Sequence, residues 1–281
     1  MPSWRKITQR LTDPVFYRKH GKHLLRVCRP PRSPRSVSVE ELLRGPGPLL
    51  VVTAHPDDEF FASGLICEAV SRQLPVEILC LTRGEGGPVG NGTREELGRR
   101  RETELRRAAS AIGVERVTFL GHVDPIGRAF RTFAPAVSKA ELSRQLRALF
   151  LDRKPSLIIT HGSAGEYWHP AHLLLHGATI HASAGSIPLA TFHAWQADHP
   201  LPKMLNRDDP ADLVLDGSAH RDRRLTSLRA HESQSDFFAD LGNGSLDHFV
   251  DMTEREAYRL YPVTTPRRPA PDRDSRTIPA N

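Results

Sequence analysis

The stretch LLVVTAHPDDEFFASG, residues 49–64, decides how the rest of the chain is read. An apolar run, Leu49 to Thr53, stops abruptly at His55, Asp57, Asp58 and Glu59. A short continuous apolar segment bounded by polar residues fits a parallel strand buried on both faces. Three adjacent carboxylates at its end repel one another, and crowding raises at least one of their pKa values unless a cation is present. An Asp at a helix start caps free N–H groups and suits the dipole. That accounts for one acid, but not for His-Pro-Asp-Asp-Glu as a unit. His55 and Asp58 face one point if the chain turns into a helix there, and imidazole plus carboxylate is a zinc-type donor set.

Strands and helices alternate outward from this segment. A helix is expected from about Phe60 to Arg72, then a strand in PVEILCLTRG and a Gly-rich loop, GEGGPVGNG. REELGRRRETELRRAASAIGV reads as a long helix with Leu97, Leu105, Ala108 and Ile112 on its apolar face, and ERVTFLG as a third strand. SKAELSRQLRALFLDRKP is a covering helix through Leu142, Leu146 and Leu149. SLIITHG is a fourth strand and HPAHLLLHGATIHAS the helix after it. ATFHAWQ and ADLVLDG add shorter strands, and RDRRLTSLRAHESQ is helical in pattern. The alternation predicts an α/β fold, a mostly parallel sheet covered on both faces in a three-layer sandwich.

At 281 residues the chain is long enough for one large domain without disulfide or metal staples. Residues 1–36 hold ten Lys/Arg and one acid, a balance of +9, so the remaining residues of a +6 chain sum to −3. Basicity thus belongs to an N-terminal extension, 1–36, ahead of a domain spanning 37–262. The tail, 263–281, is rich in Pro, Arg and Asp and is expected to be disordered. The extension is expected to lie on the domain with its charges in water, with weak contact to a membrane surface as the alternative. No helix-turn-helix, zinc finger or aromatic-interleaved basic sheet signals a nucleic-acid partner. Three scattered cysteines (Cys28, Cys67, Cys80) form no framework, which fits a reducing cytoplasm. Neither a membrane-spanning run nor a signal peptide is expected. The sequence is silent on oligomeric state.

In open parallel sheets ligands collect outside the carboxyl ends of the strands. The polar clusters HPDDE, RGEGG, GHVDP and HGSAGEYWHPAH all fall at such ends. In GEYWHPAH, Pro170 suits the first position of a helix. That puts His169 near the N-cap and His172 in the first turn. With His55 and Asp58, the pair makes a site of two histidines and one carboxylate economical, with a position left for water.

AHPDDE, TRGEGG, LGRRRETEL, GEYWHPAH and LRAHESQ occur in the order seen in the PIG-L/LmbE-like N-deacetylases, and the resemblance covers roughly residues 47–235. It implies a Rossmann-like sheet and zinc-dependent removal of an N-acyl, in particular N-acetyl, group from a small amino sugar or sugar conjugate. It implies one Zn2+ per chain, another divalent ion being the alternative, held by His55, Asp58 and His172. It implies Asp57 as general base and His169 as an aid to the oxyanion or the leaving amine. Arg101, in RRRETEL, resembles a substrate contact, as does Asp124, a strand-end acid placed to bind a hydroxyl. Their alternatives are a solvated arginine stripe and a turn aspartate before Pro125. Glu59 is expected to brace the turn and Glu85 the Gly-rich loop. His231 is a candidate support near the helix that closes the site, with a surface histidine as the alternative. His122, His176, His181, His193 and His248 are read as structural. One position departs from the family's usual HPDH: Ala171 stands where the Asp belongs. That removes a carboxylate that would orient His169 or His172. The same metal chemistry also suits an amidase of a thiol conjugate or natural-product intermediate. A non-catalytic sugar-binding relative is a further alternative.

Overall fold

A computed structural model describes residues 36–89, 92–127, 133–261 and 263. The basic extension and the acidic-basic tail therefore lie outside the described residues, apart from Ser36 and Val263.

β1 (Leu49–Thr53) is buried at all five positions. Its odd and even residues serve different cores: Leu49 and Val51 belong to one apolar cluster, Leu50 and Val52 to another. That is the period-2 geometry of a strand covered on both sides. β2 (Val76–Thr82), β3 (Arg116–His122), β4 (Leu157–Thr160) and β5 (Leu189–Thr191) complete a parallel set in the order β3-β2-β1-β4-β5. α1 (Ser63–Ser71) and α2 (Arg94–Ala111) pack on the first core through Leu65, Ile66, Leu105 and Ala109. α3 (Lys139–Arg153) and α4 (Pro170–Ser183) cover the second through Leu142, Leu146, Leu175 and Ala178. The result is an α/β three-layer sandwich with a mostly parallel sheet, as expected.

The C-terminal third departs in detail from the expected strands. ATFHAWQ is split: β5 ends at Thr191, and β6 (Ala194–Trp195) pairs instead with β7 (Asn206–Pro210) in a separate two-stranded sheet. The bend falls at His193, whose φ of 54° lies in the left-handed region. β8 (Leu213–Asp216) and β9 (Arg255–Tyr261) extend the main sheet, β9 running antiparallel to both β5 and β8. The expected C-terminal helix ends early, as α5 (Arg221–Ala230), followed by α6 (Ser235–Leu241) and α7 (Leu246–Met252). These last elements enclose a third, smaller core of Phe60, Leu228, Phe238 and Phe249 beside the first. Among the described residues no helix is long and apolar enough to cross a membrane.

β1 and β4 are neighbours, with Val52 opposite Thr160, and strand order reverses between them. This switch point is where an open α/β sheet leaves a crevice beyond its strand ends.

Candidate active site

The chain leaves β1 through a tight turn rather than directly into a helix. Asp58 opens a 3-10 turn, Asp58–Ala62, that runs into α1. Asp57 before it has φ 110°, an uncommon value for a non-glycine residue. Two acids hold this turn. Asp58 Oδ2 accepts the His55 N–H at 2.8 Å, and Glu59 Oε2 accepts the Asp57 N–H at 2.9 Å. Glu59 Oε1 meets His231 Nε2 at 2.6 Å, with both side chains fully buried. The crowded acids thus point in different directions, each with its own partner.

From β4, His161 and the irregular turn Gly165–Trp168 lead to His169, the N-cap of α4, with Pro170 at the first helical position. His172 then lies one turn in and reaches the β1 loop. His172 Nε2 lies 3.3 Å from His55 Nδ1 and 3.5 Å from Asp58 Oδ1, and His55 Nδ1 lies 3.4 Å from Asp58 Oδ2. Donors bound at about 2.0–2.1 Å around a tetrahedral zinc ion lie about 3.3–3.4 Å apart; the His55–His172 edge has that length, while the contacts to Asp58 end on its two oxygens, Oδ1 toward His172 and Oδ2 toward His55. Among the described residues, two sets of three donors lie close enough together to hold an ion, His55 with His169 and His172, and Asp58 with His161 and His172.

The charges agree. Burial works against a charged His55, yet the Asp124 and Asp58 carboxylates hold its imidazolium up to about 10. Burial likewise opposes ionisation of Asp58, but His172 and His161 keep it well below the usual carboxylate range. The carboxylates thus favour positive charge on His55, and the imidazole and carboxylate donors are of the kind a divalent ion takes. His169 is an alternative donor alongside His55 and His172. Its buried Nδ1 has no hydrogen-bond partner, and burial together with the neighbouring imidazoles pushes its pKa down to about 3.

Asp57 faces the same crevice with Arg101 behind it. Arg101 is buried, and its Nη2 donates to Pro56 O at 2.6 Å and to Asp57 Oδ2 at 2.9 Å, while Nη1 donates to Gly84 O at 3.2 Å. It belongs to no solvated stripe. Burial raises the Asp57 pKa to about 7, with Arg101 opposing the rise and Asp58 adding to it. Asp124 Oδ1 lies 3.4 Å from His55 Nε2, and its Oδ2 accepts the Gly86 N–H at 3.1 Å. A Cβ at Gly86 would sit 2.5 Å from that oxygen, so the close approach requires glycine. Glu85 joins the two loops, taking Arg83 Nε at 3.0 Å and the Asp124 N–H at 3.2 Å.

Two residues escaped the sequence reading. His161, fully buried at the end of β4, accepts the Ala54 N–H on Nε2 at 3.0 Å and meets Glu166 Oε2 through Nδ1 at 3.0 Å. Glu166 also meets His172 Nδ1, at 2.6 Å. The orienting carboxylate that Ala171 lacks is therefore present, six residues before the histidine rather than one. The available signal was a histidine and a glutamate flanking the strand-end turn HGSAGE. Above the floor opens a cleft of about 290 Å3 whose walls include Phe61, Phe133, Tyr167, Met204 and Phe237.

Imidazoles and carboxylates are thus gathered at the switch point of the sheet, beyond the ends of β1 and β4. The sequence profile described as "PIG-L: GlcNAc-PI de-N-acetylase" matches residues 50–183, and the chain belongs to this family of enzymes cleaving amide C–N bonds. A relative from Mycolicibacterium vanbaalenii, the 1D-myo-inositol 2-acetamido-2-deoxy-alpha-D-glucopyranoside deacetylase, is 31% identical over 228 residues, 66% of this chain and 80% of that one. The N,N'-diacetylchitobiose deacetylase of Pyrococcus horikoshii is similar in structure, with TM-score 0.57 and 15% identity over 93% of this chain and 94% of that one. So is GalB, the 4-carboxy-2-hydroxymuconate hydratase of Pseudomonas putida KT2440, with TM-score 0.57 and 18% identity over 78% of this chain and 98% of that one. At such identities the two structures speak for the fold alone.

Proposed function

We propose that the protein is a zinc-dependent N-deacetylase that releases a free amine and a carboxylate, in the first instance acetate, from an amino sugar or amino-sugar conjugate. The carrying observation is the cluster of His55, Asp58 and His172, in contact pairwise at 3.3–3.5 Å, beside Asp57 at the floor of the cleft. The naming of the Mycolicibacterium vanbaalenii relative for a 2-acetamido sugar favours this substrate class.

Held by His55, Asp58 and His172, the ion would polarise the acyl oxygen and acidify a water. Asp57, with a pKa of about 7, takes a proton from the attacking water as its oxygen adds to the acyl carbon. Arg101 and the Glu59-bound backbone hold the Asp57 carboxylate in place. His169, neutral because its pKa is near 3, donates a hydrogen bond to the developing oxyanion rather than a full proton. Asp57 then returns its proton to the nitrogen as the C–N bond breaks. Asp124 faces the cleft and accepts a sugar hydroxyl, while Arg101 acts on the substrate through Asp57. Glu59, Glu85 and His231 support these groups from behind. A cytoplasmic setting fits Cys67 and Cys80, which are buried and free.

A second reading, hydrolysis of an amide carrying a bulky apolar group, is favoured by one observation. Phe133, Tyr167 and Phe237 line the cleft yet remain 42–49% exposed. Amine and acetate release from N-acetylglucosamine derivatives with and without aromatic or alkyl aglycones tests both readings. Equimolar products are expected, and faster turnover of the apolar conjugates supports the second. Absence of amine from every N-acyl compound, or hydration of an unsaturated acid instead, would overturn the proposal.

A further inference from the structure

Ala171 occupies the position of the family's acid, and its side chain is buried in the apolar core under α4 with Leu50, Val52 and Leu175. Nothing at that position can orient an imidazole. Four N–H groups instead converge on Glu166. His172 Nδ1 and His161 Nδ1 lie 2.6 and 3.0 Å from Oε2, while the Gly162 N–H and Asn206 Nδ2 donate to Oε1 at 3.0 and 3.3 Å. An ionised carboxylate, which only accepts, satisfies all four.

The ring tautomers follow. The Ala54 N–H donates to His161 Nε2 at 3.0 Å, so that nitrogen carries a lone pair and Nδ1 carries the proton. His172 is stacked on it, ring centroids 3.9 Å apart and planes 26° apart, and offers Nδ1 to the same oxygen. Its Nε2 is thereby left free toward His55 and Asp58. The backbone of Glu166 has φ 57° and ψ −90°, outside the ordinary allowed regions. Asn206 Oδ1 holds it there by accepting the N–H groups of Ala164 and Glu166 at 3.0 and 3.2 Å. Such conformations persist where the surroundings over-determine them, and they cluster at working sites.

We infer that Glu166 is the positioning residue of this centre: it fixes the Nδ1–H tautomer and ring plane of His172, with His161 as the stacked anchor that ties both to the end of β1. The inference rests on the proposed role of His172 as a metal ligand. Its test is Glu166→Gln in the full chain, whose amide must turn an N–H toward at least one of the four donors. Zinc affinity, measured by competition with a chromophoric chelator, is expected to fall about 10–100-fold, as for other lost partners of metal-bound histidines. Histidine-ring 15N NMR of the metal-free proteins should show Nδ1–H tautomers for His161 and His172 in the wild type, and Nε2–H appearing at His172 in the variant.

Unchanged zinc affinity in a folded Glu166→Gln protein, or an Nε2–H tautomer of His172 in the wild type, would overturn the assignment. If the wild type binds no zinc, the metal reading fails, while the ring spectra still support or overturn the role of Glu166. If the variant does not fold, the wild-type spectrum decides: Nδ1–H on both rings supports the assignment, and Nε2–H on His172 refutes it.

Discussion

Arg101 Nη2 stands 2.9 Å from Asp57 Oδ2, where it opposes a rise by burial that still takes the Asp57 pKa to about 7. The guanidinium lowers that pKa, so its removal must raise it. For Arg101→Met the acid limb of kcat/KM should move to higher pH. A move of one pH unit would leave only about a tenth of Asp57 ionised at pH 7. A pH–rate profile of the two proteins checks this, and coincident acid limbs would remove Arg101 as the partner of the base.

His231 and Glu59 are both fully buried and 2.6 Å apart. Glu59 also fixes the Asp57 N–H. His231→Ala leaves a buried carboxylate without its partner, which costs on the order of 3–5 kcal/mol. Urea denaturation at pH 7 should show a loss of that size, and a loss below about 1 kcal/mol would mean that Glu59 is held by other groups.

His193 gives a pH-dependent stability of definite sign. Burial holds its pKa down to about 4, its Nε2 has no hydrogen-bond partner, and its ring packs 4.3 Å from that of Phe61. Below the unfolded value of 6.5 the unfolded chain binds a proton that the folded one refuses. Stability therefore falls as pH drops through 6.5, and the loss is complete below about 4, at about 3 kcal/mol from this group. His193→Asn suits the φ of 54° and does not titrate. Its denaturation midpoint should be flatter between pH 6.5 and 4; an undiminished slope would place the acid sensitivity elsewhere.

The central strands were legible because β1 and β4 are apolar without interruption, and the helices over them carry their leucines at helical spacing. β9 was not, since REAYRLY has neither a continuous apolar run nor a strict alternation, and it pairs antiparallel beyond the parallel set. The split at His193 was hidden because a left-handed residue other than glycine leaves no mark in composition. At the site, His55, Asp57, Asp58, His169 and His172 come together from two strand ends, as the motifs imply. Glu166 and His161, though they flank the turn HGSAGE, could not be given roles from sequence for a physical reason. Their roles arise from a strained turn that folds a glutamate back beneath the helix after it, and no spacing rule describes that turn.

The metal makes a prediction of its own. His55, at about 10 in the metal-free protein, must lose its proton to bind an ion, so affinity should rise with pH from 7 toward 10 and binding should release protons. Calorimetric titration in buffers of different ionisation enthalpy measures that release, and none at pH 7 would mean that His55 is already neutral before the ion arrives.

The central claim is that a divalent ion on His55, Asp58 and His172 works with Asp57 as the base. Its most direct measurement is amine release from an N-acetylglucosamine conjugate by chelator-stripped protein, before and after zinc is restored, with Asp57→Asn alongside. The account predicts no release from stripped wild type, recovery at about one zinc per chain, and an Asp57→Asn protein that binds zinc but turns over about 10²–10⁴-fold more slowly. Full turnover by the stripped protein, or an Asp57→Asn variant as fast as wild type, would contradict it.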